Sequence, residues 1–385
     1  MPQALSSLKI LDFSTLITGP FATMVLADLG AEVIRIEAPH RSDAVRDLAP
    51  GPEGENSAWH GVLGRSKRSI CLDLKTPGGS KIVRCLLETH DIVFEQFRPG
   101  VMERLGLDYE TLASANPALI YCSINSFGRL GSQPQRAAHD VNVLALAGVL
   151  AAGASPVPMG IQVADLAAAM NAVTGILAAV IHRAQTGRGQ RVEASLYDSA
   201  LMWNLLAASE VLVAGEDDAS GPGLLNGGSR YGVYETADGR HLALGGLEPA
   251  LWGRFCDVAG RPDLHEAPLA AREPELRQEV AALVASHTLE EWIDMLDGVD
   301  ACADPVSSVR EAIERAEEAT PGMLVDVGSD HRQQRQIGDA IRLSETPVAY
   351  HHPGVTPGAH RDRIMAELGY SEAEISALEA AGVFG

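Results

Sequence analysis

The stretch LKILDFSTLITGPFATMVLADLGAEVIRIEAP, beginning at residue 8, constrains the fold of this chain more than any other. Its two ends, LKILDFS and EVIRIEAP, are apolar runs of strand length, and the intervening GPFATMVLADLGA has helical spacing and stops at a glycine. Residues 8–36 therefore read as one β-α-β unit, the building block of a parallel sheet. RSICLDL, DIVFEQF and LIYCSINSF are further strand candidates, separated by helical stretches at 78–89 and 108–114. This alternation predicts an α/β fold with a Rossmann-like, doubly wound large domain. No G-x-G-x-x-G follows the first strand, so a nicotinamide or flavin cofactor is not indicated.

Two long helices are expected at about 165–184 and 196–214. The composition then shifts at GEDDASGPGLLNGGS, residues 215–229, a linker. Beyond it, YGVYETADGRHLALGG reads as a hairpin turning at Asp238-Gly239. Helices near 249–260, 273–286 and 288–297 complete a smaller α+β domain. The expected organisation is a large domain over 1–214, the linker, a small domain over 230–330, and a C-terminal segment, 331–385, that returns to the large domain with two short amphipathic helices.

The 385 residues, 46% of them hydrophobic, suffice to bury a large core. A net charge of −21 argues against nucleic acid or an anionic membrane surface as partner, so any anionic ligand needs a local basic pocket. The five cysteines form no C-x-x-C pair, and no metal site is expected. The start, MPQALSSLKILDF, lacks the pattern of a signal peptide. The alanine-rich stretch 164–182 reads as a buried core helix and not a membrane span, and a cytoplasmic location is expected.

Four acid–base residues stand out. His139-Asp140 opens the helical pattern of residues 137–150, where backbone N–H groups converge, can hold an oxyanion and favour a neutral imidazole. The ordinary alternative makes Asp140 an N-cap and His139 a partly buried hydrogen-bonding residue. Asp165 begins the alanine-rich helix, where capping is the commoner role of a carboxylate. Glu248 follows two glycines and precedes a helix-starting proline, a common place for a residue that merely complements the helix dipole. Arg65, Lys67, Arg68, Lys75, Arg98 and Arg104 are individually ordinary surface charges; together they can meet the phosphates of a nucleotide-like ligand.

These residues lie in motifs that resemble the class III CoA-transferase (CaiB/BaiF) family, and within it most closely the α-methylacyl-CoA racemases. The opening unit with Gly19-Pro20 and LADLGAEV is similar to the family's first β-α-β unit. KRSICLDLK, FRPGVMERLGL, TGRGQRVEASLYDSAL, YETADGR and the closing PGAH and LGYS follow in the family's order. Family transferases usually carry an aromatic residue before the acidic one, whereas racemases carry His-Asp, as at His139-Asp140. Asp165 falls on the shared aspartate, a covalent nucleophile in transferases and a proton base in racemases. Gly246-Leu247-Glu248-Pro249 matches the racemases' catalytic glutamate.

The resemblance implies racemisation or epimerisation at C2 of a 2-methylacyl-CoA, with no cofactor and CoA as part of the substrate. His139, partnered by Glu248, would serve one face of the carbon and Asp165 the other, while N–H groups near Asp140 hold the enolate oxygen. It also implies CoA contacts at Ile17, Leu72, Lys75, Phe97, Arg98 and Arg104, and an interlocked homodimer. The alternatives are CoA transfer through an acyl intermediate on Asp165 and a non-catalytic acyl-CoA-binding relative. Ala38 stands where racemases tend to carry arginine, which implies a CoA phosphate contact that is either weaker or supplied by His40 or Arg41. Arg230 and Gly232 replace a usual proline and aspartate and bear on the acyl group.

Overall fold

The structure, a computed structural model, describes residues 2–51, 57–152, 156–215, 224–267, 274–329 and 333–385. The opening unit consists of β1 (Lys9–Asp12), α1 (Thr18–Asp28) and β2 (Glu32–Glu37). It is followed by α2 (Ala58–Leu63), β3 (Arg68–Cys71), α3 (Pro77–Leu87), β4 (Ile92–Glu95), α4 (Val101–Leu105), α5 (Tyr109–Ala115) and β5 (Ile120–Asn125). Then come α6 (Asp140–Leu146), α7 (Val163–Thr186), β6 (Arg191–Ser195) and α8 (Leu196–Trp203).

The six strands pair in parallel in the order β3-β2-β1-β4-β5-β6. The chain winds outward from β1 in one direction and from β4 in the other, the doubly wound arrangement expected from the sequence. Loops leaving β1 and β4 at their carboxyl ends diverge there and open a crevice, the place where such sheets bind ligands.

Register explains the unbroken apolar strands. Leu11 stands beside Ile34 and Val93, and Val93 beside Tyr121, making one buried row against Ile82, Val83 and Leu86 of α3. α7 buries Ala164, Ala167, Ala168, Ala169, Ala172 and Ala179, small side chains that let it lie close against α1, β5 and β6. It is long and apolar enough to cross a membrane, yet this packing makes it a core helix.

Two compact units emerge: Met1–Val143, Ile161–Met202 and Thr320–Gly385 form the first, Leu144–Gly160 and Trp203–Ala319 the second. The single helix expected over 196–214 is two: Asn204 leaves helical geometry between α8 and α9 (Leu205–Leu212), its side-chain amide donating to the Ala147 carbonyl at 3.1 Å. Residues 216–223 of the expected linker lie outside the described residues.

In the second unit β7 (Tyr231–Glu235) and β8 (His241–Gly245) form an antiparallel hairpin, with Gly239 supplying the positive φ of +74° at the turn. The helices α10 (Pro249–Val258), α11 (Pro274–Val284) and α12 (Leu289–Leu296) precede β9 (Ala303–Pro305), which pairs with β8, and α13 (Val309–Ala319) closes the unit. Its core centres on Phe255, stacked between Trp252 and Trp292 at centroid separations of 5.5 and 5.6 Å. The chain re-enters the first unit with the antiparallel pair β10 (Leu324–Val327) and β11 (Gln334–Ile337), then α14 (Arg361–Glu367) and α15 (Glu372–Ala380).

Candidate active site

The loop from β1 into α1 is held from several sides. Leu16 adopts a left-handed φ of 62° and its N–H points at Asp43, 3.1 and 3.2 Å from the two carboxylate oxygens. Such a conformation costs about 1–3 kcal/mol and persists where surrounding contacts over-determine it. Asp12 accepts from the Ser14 N–H (2.8 Å) and the Thr23 hydroxyl (2.6 Å), while Lys67 donates to the Pro20 carbonyl (2.7 Å). The Gly19 N–H reaches the Gln96 side chain at 3.1 Å, and a Cβ on Gly19 would fall 2.2 Å from that of Ser14. Thr18, at the head of α1, is thereby fixed at the switch point.

Three of the four acid–base candidates come together around it. Asp140 is the first residue of α6, yet its Oδ1 accepts from the N–H groups of Ala164 (2.7 Å) and Asp165 (3.2 Å) in the first turn of α7. It is a helix cap, but of α7 and not of its own helix. The cap position of α6 belongs to His139, which is exposed; its carbonyl accepts from Asn142 and Val143, and its N–H donates to the Asn142 side chain at 3.2 Å. The amides of Asp140 and Val141 have no acceptor among the described residues. Asp165 caps nothing: its Oδ1 accepts from the Thr18 hydroxyl. The capping roles expected for Asp140 and Asp165 are thus corrected, because α7 takes its cap from the preceding helix and leaves the Asp165 carboxylate for other contacts.

Burial pushes the Asp165 carboxyl above its usual range; the Thr18 hydrogen bond pulls down, the Asp140 charge pushes up, and His139 pulls down. Asp140 is likewise raised by burial, against the two amides that favour its anion. A carboxylate with raised proton affinity and an imidazole within electrostatic reach form a pair of bases of different chemistry.

A cavity of about 640 Å³ opens at the carboxyl ends of β1 to β4, lined among others by Phe13, Ala38, Leu72, Lys75, Phe97 and Arg104. Four of the six expected ligand contacts therefore line one space; Ile17, which precedes Thr18, and the exposed Arg98 do not. Lys75, Arg98 and Arg104 form no salt bridge among the described residues.

The other three cations are structural, a correction to both the surface and the phosphate-binding expectation. Arg65 is 1% exposed and donates through Nε to both Asp28 oxygens at 3.0 Å. Lys67, equally buried, lies 3.6 Å from Asp12, and Arg68 bridges Glu32 and Glu367 at 2.7 and 2.6 Å. Arg65 and Lys67 each balance an acid that the core would not otherwise tolerate, whereas Arg68 ties together two partly exposed glutamates.

Glu248 lies in the second unit, at the N-cap of α10; its side chain is exposed and makes no cap hydrogen bond. Arg230 is buried, donating to the carbonyls of Gly246 and Ala267, both at 3.0 Å, with its guanidinium over the Trp252 ring. It braces the turn that leads to Glu248. Thr18 and Asn142 were not legible as site residues; the available signal was a hydroxyl residue just before a Gly-Pro helix start at the end of the first strand.

A doubly wound parallel sheet with a cavity at the carboxyl ends of its first four strands, Lys75 and Arg104 among its lining, defines an α/β protein of the open, ligand-binding kind. The chain belongs to CoA-transferase family III, whose model matches residues 5–361. It is 32% identical to the alpha-methylacyl-CoA racemase of Homo sapiens over 388 residues, covering 98% of this chain and 97% of that one. It is also 32% identical to the succinate–glutarate CoA-transferase of Agrobacterium fabrum over 387 residues, 94% and 95% of the two chains. A CAIB/BAIF family protein from Brucella suis superposes with a TM-score of 0.83 at 27% identity, over 96% of this chain and 100% of that one.

Proposed function

We propose that this protein racemises or epimerises C2 of a 2-methylacyl-CoA thioester by two-base proton transfer through an enolate. The observation that carries the reading is the contact of Asp140, the neighbour of His139, with the first turn of α7, which puts His139 within electrostatic reach of the Asp165 carboxylate. Inversion needs a base on one face and a conjugate acid on the other, and a single group cannot serve both. His139 takes one face and Asp165 the other, while the free amides of Asp140 and Val141 hold the enolate oxygen. The CoA portion occupies the cavity, with Lys75 and Arg104 on its phosphates and Arg98 at the approach. In a homodimer Glu248 of one chain orients the His139 imidazole of the other. The scheme uses no cofactor beyond the CoA of the substrate. Incubation in deuterated water should place deuterium at C2 with loss of optical purity; retention of both proton and configuration would count against it.

CoA transfer is the second reading, favoured by the transferase relative at the same 32% identity. There Asp165 attacks the thioester carbon, CoA leaves as thiolate, and an acyl anhydride forms. Borohydride or hydroxylamine added with acyl-CoA would then change the mass of the Asp165 peptide; the racemase reading expects no change.

A further inference from the structure

We infer that Thr18 is a positioning residue for Asp165: its hydroxyl pins one carboxylate oxygen and so aims the other at the substrate. The inference rests on the reading of Asp165 as a proton base. An aspartate side chain has a broad, two-fold terminal torsion and about four acceptor sites, so a fixed backbone alone does not aim it. Here the backbone is fixed by Asp140, which accepts the Asp165 N–H at 3.2 Å, and the side chain by Thr18. Thr18 is 2% exposed, so water does not compete for its hydroxyl, and Asp165 is the acceptor it meets.

The donor is itself held rigidly. Leu16 in left-handed geometry on Asp43, Gly19 on Gln96 and Pro20 on Lys67 fix the backbone on both sides of Thr18. Proton abstraction is sensitive to such placement, a 1 Å error costing on the order of 100-fold. The hydroxyl also favours the anion over the acid. The charged or titratable groups facing Asp165 are the Asp140 carboxylate on α6, which opposes ionisation, and the His139 imidazole before it, which supports it. With burial against ionisation as well, the Thr18 donor keeps the base available at lower pH.

The test compares Thr18→Val and Thr18→Ala with Thr18→Ser in two measurements. The first is deuterium exchange at C2 of a 2-methylacyl-CoA as a function of pH. Loss of the hydroxyl should lower kcat roughly 10- to 100-fold with little change in KM and move the acidic limb of the rate to higher pH; serine should restore both. The second is the carboxyl carbon NMR titration of Asp165 in protein labelled at the aspartate carboxyl, its resonance assigned with Asp165→Asn. Its midpoint should rise in the valine and alanine variants and return in serine. Coincident titrations in all four proteins would overturn the inference. A raised midpoint in a protein that exchanges no deuterium would support the contact while removing the reading of Asp165 as a base.

Discussion

Asp140 and Asp165 are joined through the backbone: the carboxylate of the first accepts the N–H of the second at 3.2 Å, and that of Ala164 at 2.7 Å. One side chain thus caps α7 and places a negative charge beside the proposed base. Asp140→Asn separates the two effects, since an amide oxygen still accepts both N–H groups and carries no charge. Its stability should remain near that of the parent protein, while Asp140→Ala should lose about 1 kcal/mol in urea melts. Without the like charge the Asp165 carboxyl titrates lower, so the acidic limb of exchange in Asp140→Asn should move to lower pH.

The cations divide into two groups with opposite phenotypes. Arg65→Ala strands the buried Asp28 and should cost about 3–5 kcal/mol in a denaturant melt. Lys75→Ala and Arg104→Ala should leave stability within about 0.5 kcal/mol and weaken CoA binding by about 1–3 kcal/mol in calorimetry. Unchanged CoA affinity in both would remove the cavity as the CoA site.

Lys67 gives a pH signature. Burial lowers its pKa to about 8, from 10.5 in an exposed lysine. Between these values the unfolded chain binds more protons, so this residue makes stability rise with pH from about 8 to about 10.5. Lys67→Met should be less stable overall, because Asp12 is left unpaired, and should lack that rise in melts run across the same range. A slope identical to the parent's would show that Lys67 is not buried as a cation.

Five of the six parallel strands and the hairpin at Asp238-Gly239 followed from local patterns in the sequence; β6, whose RVEAS is polar at alternate positions, did not, and the grouping of His139, Asp140 and Asp165 was implied by the family resemblance alone. Partners distant along the chain were not legible. Thr18 and Asp165 are separated by 147 positions, and Asp140 reaches 24 positions forward to cap α7. Arg65 and Lys67 look like surface charges by residue type. Their acids, Asp28 in VLADLG and Asp12 in ILDFS, sit inside apolar runs, and an acid so placed is itself a sign of a buried counter-charge.

The apolar face of α9 bears on assembly. No residue of this helix is buried, and Leu206 and Leu212 are 62% and 82% exposed. Surfaces of this kind mark contact sites. Sedimentation should give twice the chain mass of 40.7 kDa, and Leu206→Glu with Leu212→Glu should shift the protein to monomer with loss of exchange. A fully active monomer would contradict the shared site.

The proposed racemisation requires two bases serving opposite faces of C2. The direct measurement supplies each epimer separately, in deuterated water, to His139→Ala and Asp165→Ala. Both variants should nearly abolish racemisation, and each should retain slow deuterium wash-in from one epimer only, a different epimer for each variant. Wash-in from the same epimer in both variants would contradict the two-face mechanism and return His139 to the role of a helix-capping residue.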